Sequence, residues 1–408
     1  MTPALARAAT DVDTICGVRP RLAVEPRTVA DAAADLEALA KDRLAIAFVG
    51  GGTDLELGAA PARLDAVVHT RHLSRVREYA PSDQIVAVEA GMTLAALQQH
   101  LAPHGQRLAL DAPAAAQATV GGIVAANAFG PRRTRYGSVR DLVIGMTIVR
   151  ADGVVARGGG KVVKNVAGFD LPRLLCGSLG TLGLIAEVTF RLHPLPERSA
   201  TFLVGPLAAP EVASLTRATL DARLEPVAVT ARAERDRLRL AIRLEGFAPG
   251  VRDQGDRLAA LAGSAACELL EAQDEARLWD DWERAAIEGT VRAKATFAPA
   301  ELPSVLEALR ALAATLRDGE LVVHPALGIA RVAGDLQSAG DTARAVEAAR
   351  RTVSPAGGAL VLTAAPGGLR AVADVWGAAP RSIEIMRRLK RELDPENRLA
   401  PGRFVGGI

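Results

Sequence analysis

Val49-Gly50-Gly51-Gly52-Thr53-Asp54 follows the apolar run Leu44 to Val49, and its reading decides the rest of the chain. The run has the length and composition of a buried strand. Three successive glycines then leave the main chain bare, so neighbouring N–H groups can converge on an anion with no side chain in the way. Two further segments repeat the pattern: Ala118-Thr119-Val120-Gly121-Gly122, and Gly177-Ser178-Leu179-Gly180-Thr181-Leu182-Gly183. Three main-chain cradles in the first half of one chain point to a large, phosphate-bearing cofactor.

The common nucleotide loops do not account for them. A Walker loop needs a hydroxyl residue after its lysine, and Gly160-Lys161 is followed by Val162. A Rossmann fingerprint starting at Gly50 fails because Leu55 stands at the last glycine position.

Composition narrows the class. The 408 residues are 49% hydrophobic but only 3% aromatic, so Ala, Leu and Val must fill the cores of two or three domains. A formal net charge of +2 with acids and bases interspersed argues against nucleic acid as a partner. Cys16, Cys176 and Cys267 are widely separated, which argues against a disulfide framework, a zinc site or an iron–sulfur cluster and for a reducing compartment. Met1 to Arg19 lacks the apolar core of a signal peptide, and no uncharged stretch reads as a membrane helix, so we expect no direct membrane insertion.

Read in order, Thr28-Val29-Ala30-Asp31 opens a capped helix running to Lys41. Ala66 to Thr70 and Ile85 to Glu89 read as strands, Thr93 to Leu101 and Val120 to Ala128 as short helices. Ala151-Asp152-Gly153 joins a hairpin, and Leu184 to Leu192 is one more strand. His193-Pro194-Leu195-Pro196 breaks the pattern. Beyond it, strands and amphipathic helices alternate without cradles; Glu301 to Arg317 reads as a helix with Leu302, Leu306, Leu309, Leu312 and Leu316 on one face. A helix over Ser382 to Leu393 precedes a turn-rich tail, and no sequence repeat is evident.

The array Gly50 to Asp54, Ala118 to Gly122 with Asn127, Tyr136-Gly137, Asp141 and Gly177 to Gly183 with Ile185 resembles the FAD-binding domain of the vanillyl-alcohol oxidase/p-cresol methylhydroxylase superfamily. Gly159 to Leu174 is similar to the FAD-binding subunit of bacterial glycolate oxidase, and the tail Asp394-Pro395 to Pro401-Gly402 resembles the terminal segment of FAD-linked oxidases acting on 2-hydroxy acids. Where that family commonly has Tyr, this chain has Phe169. The resemblance implies an α+β chain built as a two-subdomain PCMH-type FAD-binding domain, an α+β cap and a C-terminal segment returning to the FAD domain. The boundaries are an N-terminal tail 1–19, an FAD domain 20–195 with subdomains of about 20–80 and 81–195, a cap 196–378 and a closing segment 379–408.

The same resemblance implies noncovalent FAD. Main-chain amides of Gly50, Gly51, Gly52 and Thr53, with Asp54 beside them, face the pyrophosphate; Gly121, Gly122 and Asn127 lie along the flavin and ribityl chain; Gly183 and Ile185 pass the adenine or ribose. Pro113, Thr119, Ala125 and Gly180 complete the set. No histidine lies in a cradle, so no histidyl flavin link is expected. On this reading Gly51→Val blocks the pyrophosphate and yields apoprotein.

The catalytic candidates keep two readings each. Arg132 and Arg135, in Arg132-Arg133-Thr134-Arg135, are either a solvated turn or a positive patch for a carboxylate. Lys164 (like Lys161) is either an edge charge or a partner for an acid substrate or the reduced flavin. His324 is either a packed residue or a base that takes a hydroxyl proton. Catalytic hydroxy-acid relatives carry a cap metal site; here no histidine follows His324, so no metal is expected. The resemblance therefore implies a subunit of a glycolate oxidase complex that turns glycolate into glyoxylate, beside a homologous catalytic FAD subunit and an iron–sulfur subunit. It implies a cytoplasmic place, peripheral on the inner membrane only through those partners. A self-sufficient 2-hydroxy-acid dehydrogenase and a non-catalytic scaffold are the alternatives.

Overall fold

Short apolar β-branched runs with glycine loops between them form the first two sheets. In the computed structural model, which describes residues 6–160 and 169–408, the chain divides into two units. The first comprises Met1–Phe129, Gly137–Leu195 and Ala378–Ile408; the second comprises Gly130–Tyr136 and Pro196–Gly377.

The first unit holds a four-stranded sheet in the order Ala6–Ala8, Leu22–Val24, Ala66–His69, Ile46–Val49. The last three strands are parallel, with Leu22 and Ile46 both in register with Ala66. Parallel strands are covered on both faces, which is why Ala66–His69 is buried at every position. The helix Val29–Lys41 covers one face. Thr28 caps it by accepting from the Asp31 amide at 3.0 Å. Leu36 and Leu39 pack against Val24, Ile46 and Val68. The stretch expected as an N-terminal tail contributes the antiparallel edge strand Ala6–Ala8. It is held by Asp13, whose carboxylate meets Arg7 at 2.8 Å and His69 at 2.7 Å while fully enclosed. An acid every few residues gave no hint of that burial.

A five-stranded antiparallel sheet follows: Val76–Ala80, Ile85–Glu89, Leu184–Arg191, Val143–Val149, Val155–Gly159. The expected hairpin forms, with Gly153 at φ +85° in its turn. The helices Leu94–Leu101 and Val120–Ala126 share a core with this sheet through Leu97, Val120, Ile123, Val124, Ile148 and Val188.

Asp35 sits on the inner side of Val29–Lys41, 4% exposed, and its Oδ2 has no hydrogen-bond partner. Burial, followed by the charge of Asp31, pushes its pKa up to about 6. An acid raised in the folded state contributes stability below its unfolded value near 3.8, lost as the pH rises through 6. Asp35→Asn is therefore expected to raise the melting temperature at pH 7.5 by roughly 2 °C, about 1 kcal/mol. At pH 4.5 the gain disappears, which thermal melts at the two pH values check.

The second unit is built on one eight-stranded antiparallel sheet: Cys267–Leu270, Arg198–Leu207, Arg237–Gly246, Ala228–Glu234, Leu316–His324, Ile329–Leu336, Val291–Thr296, Ala359–Ala364. It consists of two copies of one topology, strand-helix-strand-strand-helix-strand. The first has Ala209–Asp221 and Ala248–Ala262 as its helices, the second Leu302–Ala313 and Ala339–Val353. Numbered within each half, the strand order is 4-1-3-2 and then 2-3-1-4. The halves meet where Ala231 pairs with Val323 and Arg232 with Val322. The helix expected to reach Arg317 stops at Ala313, and Leu316 opens the next strand. Thr315 Oγ1 donates to the Leu312 carbonyl at 2.8 Å, and Asp318 takes φ +52°, which no helix continues through.

Candidate functional site

The three glycine segments line a single cavity of the first unit, of about 780 Å³ including the part open to solvent. Gly50, Gly51, Gly52, Thr53 and Asp54 form one wall. Gly121, Gly122 and Ala125 form a second, and Gly180, Gly183 and Ile185 a third. Phe48, Leu179 and Arg403 join them and were not anticipated. Pro113, Thr119 and Asn127 lie outside the lining.

Thr119 has a different job. Its side-chain oxygen accepts from the Gly51 amide at 3.3 Å and from the Gly122 amide at 3.4 Å, so it ties the first loop to the second. The glycines follow from that closeness. A Cβ on Gly50 would stand 2.1 Å from Thr119 Oγ1, and one on Gly51 1.8 Å from the Gln117 carbonyl oxygen. A Cβ on Gly121 would stand 2.7 Å from that of Ala90. This corrects the reason given for Gly51→Val: the side chain would strike the neighbouring loop rather than the space a diphosphate takes. Gly52 is glycine for conformation, at φ +78°.

Donors remain for an anion. Among the described residues, the amides of Gly52, Thr53 and Asp54 make no hydrogen bond. The Gly121 amide is engaged by the Ala90 carbonyl at 2.7 Å, so that residue offers close approach and no donor. Asp54 fits an anion through its amide only, since its carboxylate would repel one. Asn127 ends the helix Val120–Ala126 at φ +49°, and its buried Oδ1 has no partner. Bare glycine walls and free amides suit a flat, phosphate-bearing molecule of dinucleotide size.

Residues 20–159 match the FAD binding domain family. Over 184 residues the chain is 33% identical to glycolate oxidase subunit GlcD of Bacillus subtilis, covering 45% of this chain and 39% of that one. It is 41% identical over 122 residues to glycolate oxidase subunit GlcE of Escherichia coli, covering 30% and 35%. It is 35% identical over 199 residues to D-lactate dehydrogenase of Archaeoglobus fulgidus, covering 48% and 44%. The matched stretches thus span about two fifths of these relatives' own lengths. The fold is similar to that of alkyldihydroxyacetonephosphate synthase, with a TM-score of 0.74 at 15% identity over 95% of this chain and 78% of that one. For p-cresol methylhydroxylase the TM-score is 0.71 at 16% identity, over 94% and 88%. The α+β, PCMH-type fold and the cofactor class expected from the FAD binding domain are therefore those found.

The catalytic candidates fare differently. Lys164, like Lys161, lies outside the described residues. Arg132, Arg135 and His324 belong to the second unit. Arg132 meets Glu245 on the strand Arg237–Gly246 at 3.1 Å, and Arg135 meets Glu225, in the loop before Ala228–Glu234, at 2.9 Å. A patch reserved for a substrate carboxylate is not what these pairs describe. His324 is 4% exposed, with Nδ1 3.0 Å from Thr230 Oγ1. It bridges the two halves of the eight-stranded sheet. Burial first, then Arg331 and Arg133, pushes its pKa down to about 3. So weak a base, shut from solvent, does not take a hydroxyl proton, and the packed reading of His324 is the one the geometry favours.

The shift has a stability consequence. Between pH 6.5 and 3 the unfolded chain binds a proton at His324 that the folded chain refuses. Its contribution is fully present above pH 6.5 and is lost as the pH falls towards 3. Urea unfolding of wild type between pH 7 and 4.5 is expected to show a falling midpoint, and His324→Gln a flatter profile.

Among the described residues no group of three or more His, Cys, Asp or Glu stands together as a metal site, and no helix is long and apolar enough to cross a membrane.

Proposed function

We propose that the chain is the FAD-binding subunit of an oxidoreductase acting on the CH–OH group of a 2-hydroxy acid. Glycolate, giving glyoxylate, is the first candidate substrate. The observation that carries the reading is the cavity where three glycine segments meet and the amides of Gly52, Thr53 and Asp54 stand without partners. The names of the relatives, glycolate oxidase subunits and a D-lactate dehydrogenase, supply the substrate class.

Bound FAD supplies the two-electron acceptor that such an oxidation needs. The chain's own residues hold it. Gly50, Gly51, Gly52 and Thr53 face the diphosphate, with the Thr119 oxygen sharing the Gly51 amide. Gly122, Ala125 and Asn127 lie along the ring and ribityl chain, with Gly121 giving close approach. Gly180, Gly183 and Ile185 border the adenosine half, while Pro113 stands outside the lining.

Among the described catalytic candidates His324, the one weighed as a base, is enclosed, and Arg132 and Arg135 are paired with Glu245 and Glu225. That favours a subunit whose flavin works beside a homologous catalytic FAD subunit and passes electrons to an iron–sulfur subunit. Its place is then the cytoplasm, at the membrane only through those partners. Purified chain tests this directly. A yellow protein that releases FAD on heating supports the cofactor assignment, and a colourless one that cannot be reconstituted rejects it. Glycolate-dependent dye reduction should need the partner subunits; robust turnover by the lone chain would replace this reading with a self-sufficient dehydrogenase.

A further inference from the structure

The first glycine loop is held from outside itself. Within it the Leu57 amide donates to the Asp54 carbonyl at 3.1 Å. Thr119 holds its start and Cys16 Sγ donates to the Leu55 carbonyl at 3.4 Å, but most of the bonds to its far side come from the end of the chain, more than three hundred residues on. The Arg403 guanidinium is 5% exposed, and Nη2 donates to the Leu55 carbonyl at 3.0 Å and to the Leu57 carbonyl at 2.6 Å. The Arg403 carbonyl accepts from the Ala59 amide at 2.9 Å, and the Pro401 carbonyl from the Ala62 amide at 2.8 Å. Gly402, at φ +83°, lets this segment lie against Ala62, where a Cβ would stand 3.0 Å away.

The segment is itself anchored on both sides. The Arg398 carbonyl accepts from the Ile46 amide at 2.8 Å and the Ala400 amide donates to the Ile46 carbonyl at 2.7 Å, so the tail runs along the strand that feeds the loop. Lys390 then joins the tail to the third glycine segment, through the Thr181 and Leu399 carbonyls.

We propose that Arg403 is a positioning residue for the cofactor: by gripping the Leu55 and Leu57 carbonyls it sets the loop so that the amides of Gly52, Thr53 and Asp54 face the cavity. The inference rests on the FAD reading above and adds to it how the loop is preorganised. Both bonds leave from Nη2, whose place the planar guanidinium fixes, and a lysine side chain, one bond shorter, would hold its ammonium short of both carbonyls. A preset loop binds more tightly because less ordering is left for the moment of association.

The test is FAD and ADP binding to deflavinated wild type, Arg403→Met and Arg403→Lys, with amide hydrogen exchange of residues 50–58 in each apoprotein. ADP carries the diphosphate without the flavin. Arg403→Met is expected to weaken both ligands by about tenfold or more, with faster exchange over 50–58. Arg403→Lys should recover less than half of the loss on a logarithmic scale. Should Arg403→Met fail to fold, Arg403→Lys decides alone, since it too must bind more weakly than wild type. Affinities within about twofold of wild type overturn the proposal, as does full recovery by lysine with unchanged exchange, because charge alone would then suffice. Wild type that binds neither ligand would reject the cofactor reading itself, which is a separate result.

Discussion

Gly51→Ala is expected to leave purification without flavin. The added methyl would lie 1.8 Å from the Gln117 carbonyl oxygen, and the atom in the way is main chain. No rotamer can relieve that, so the first and second loops must part. Overpacking of this kind costs on the order of 1–3 kcal/mol even where side chains can move. Here it also breaks the bond from the Gly51 amide to Thr119 and spoils the aim of the neighbouring amides. FAD affinity is expected to fall on the order of a hundredfold, about 2.7 kcal/mol. Gly52→Ala is the comparison. It carries the strain of φ +78°, about 1 kcal/mol, but its methyl meets only Leu55 Cδ1 at 3.7 Å. Its loss of affinity should be the smaller by about tenfold. Fluorescence quenching of FAD added to the apoproteins measures both, and equal affinities would show that the loops do not need to touch.

Lys390→Met is the second large effect, on stability. Lys390 is 5% exposed, and its ammonium donates to the Asp394 carboxylate at 2.7 Å, the Thr181 carbonyl at 2.9 Å and the Leu399 carbonyl at 2.7 Å. Burial lowers its pKa, and the hydrogen bond and charge of Asp394 act against that. Methionine fills the space but leaves the Asp394 carboxylate enclosed with the Leu399 amide as its remaining donor. Removing one partner of a buried pair costs about 3–5 kcal/mol. The double variant Lys390→Met/Asp394→Asn should regain a large part of this, since the stranded charge is gone. The pair Lys41–Glu37 has the same i,i+4 spacing and a similar 2.8 Å distance, yet both side chains are more than half exposed. Lys41→Met should therefore shift the urea midpoint hardly at all, by less than about 0.5 kcal/mol. Equal shifts for the two lysines would contradict the burial argument.

That contrast shows what the sequence could and could not convey. Lys390 and Lys41 both read as a lysine four residues from an acid, and nothing local says which is enclosed. Burial of the first depends on Thr181 and Leu399, and burial of Asp13 on His69, all distant in the chain. The glycine loops were legible because their signal is local: an apolar strand that empties into residues without side chains. The strand Ile85–Glu89 and the capped helix Val29–Lys41 were legible for the same reason. The leucine spacing through Leu316 misled, because a strand began in phase with the preceding helix. Arg132, Arg135 and His324 carry types of side chain that chemistry uses, and only their partners Glu245, Glu225 and Thr230 revealed structural work. Arg403 gave no sign at all, since an arginine in a turn-rich tail is ordinary until its carbonyl partners are seen.

The paired topology of the second unit has a mechanical consequence. Each half closes its own hydrogen-bond ladder, and the ladder across the middle is short, reinforced by Thr230 with His324 and Arg232 with Glu320. The helix Ala272–Ile287 straps that seam, with Trp279 and Trp282 on Leu203, Ala228 and Ala241 of one half and Ala285 and Ala286 on Val322 of the other, so parting the lobes also strips this helix from one of them. Charging His324 at low pH therefore loads a seam that the short ladder and this helix hold together.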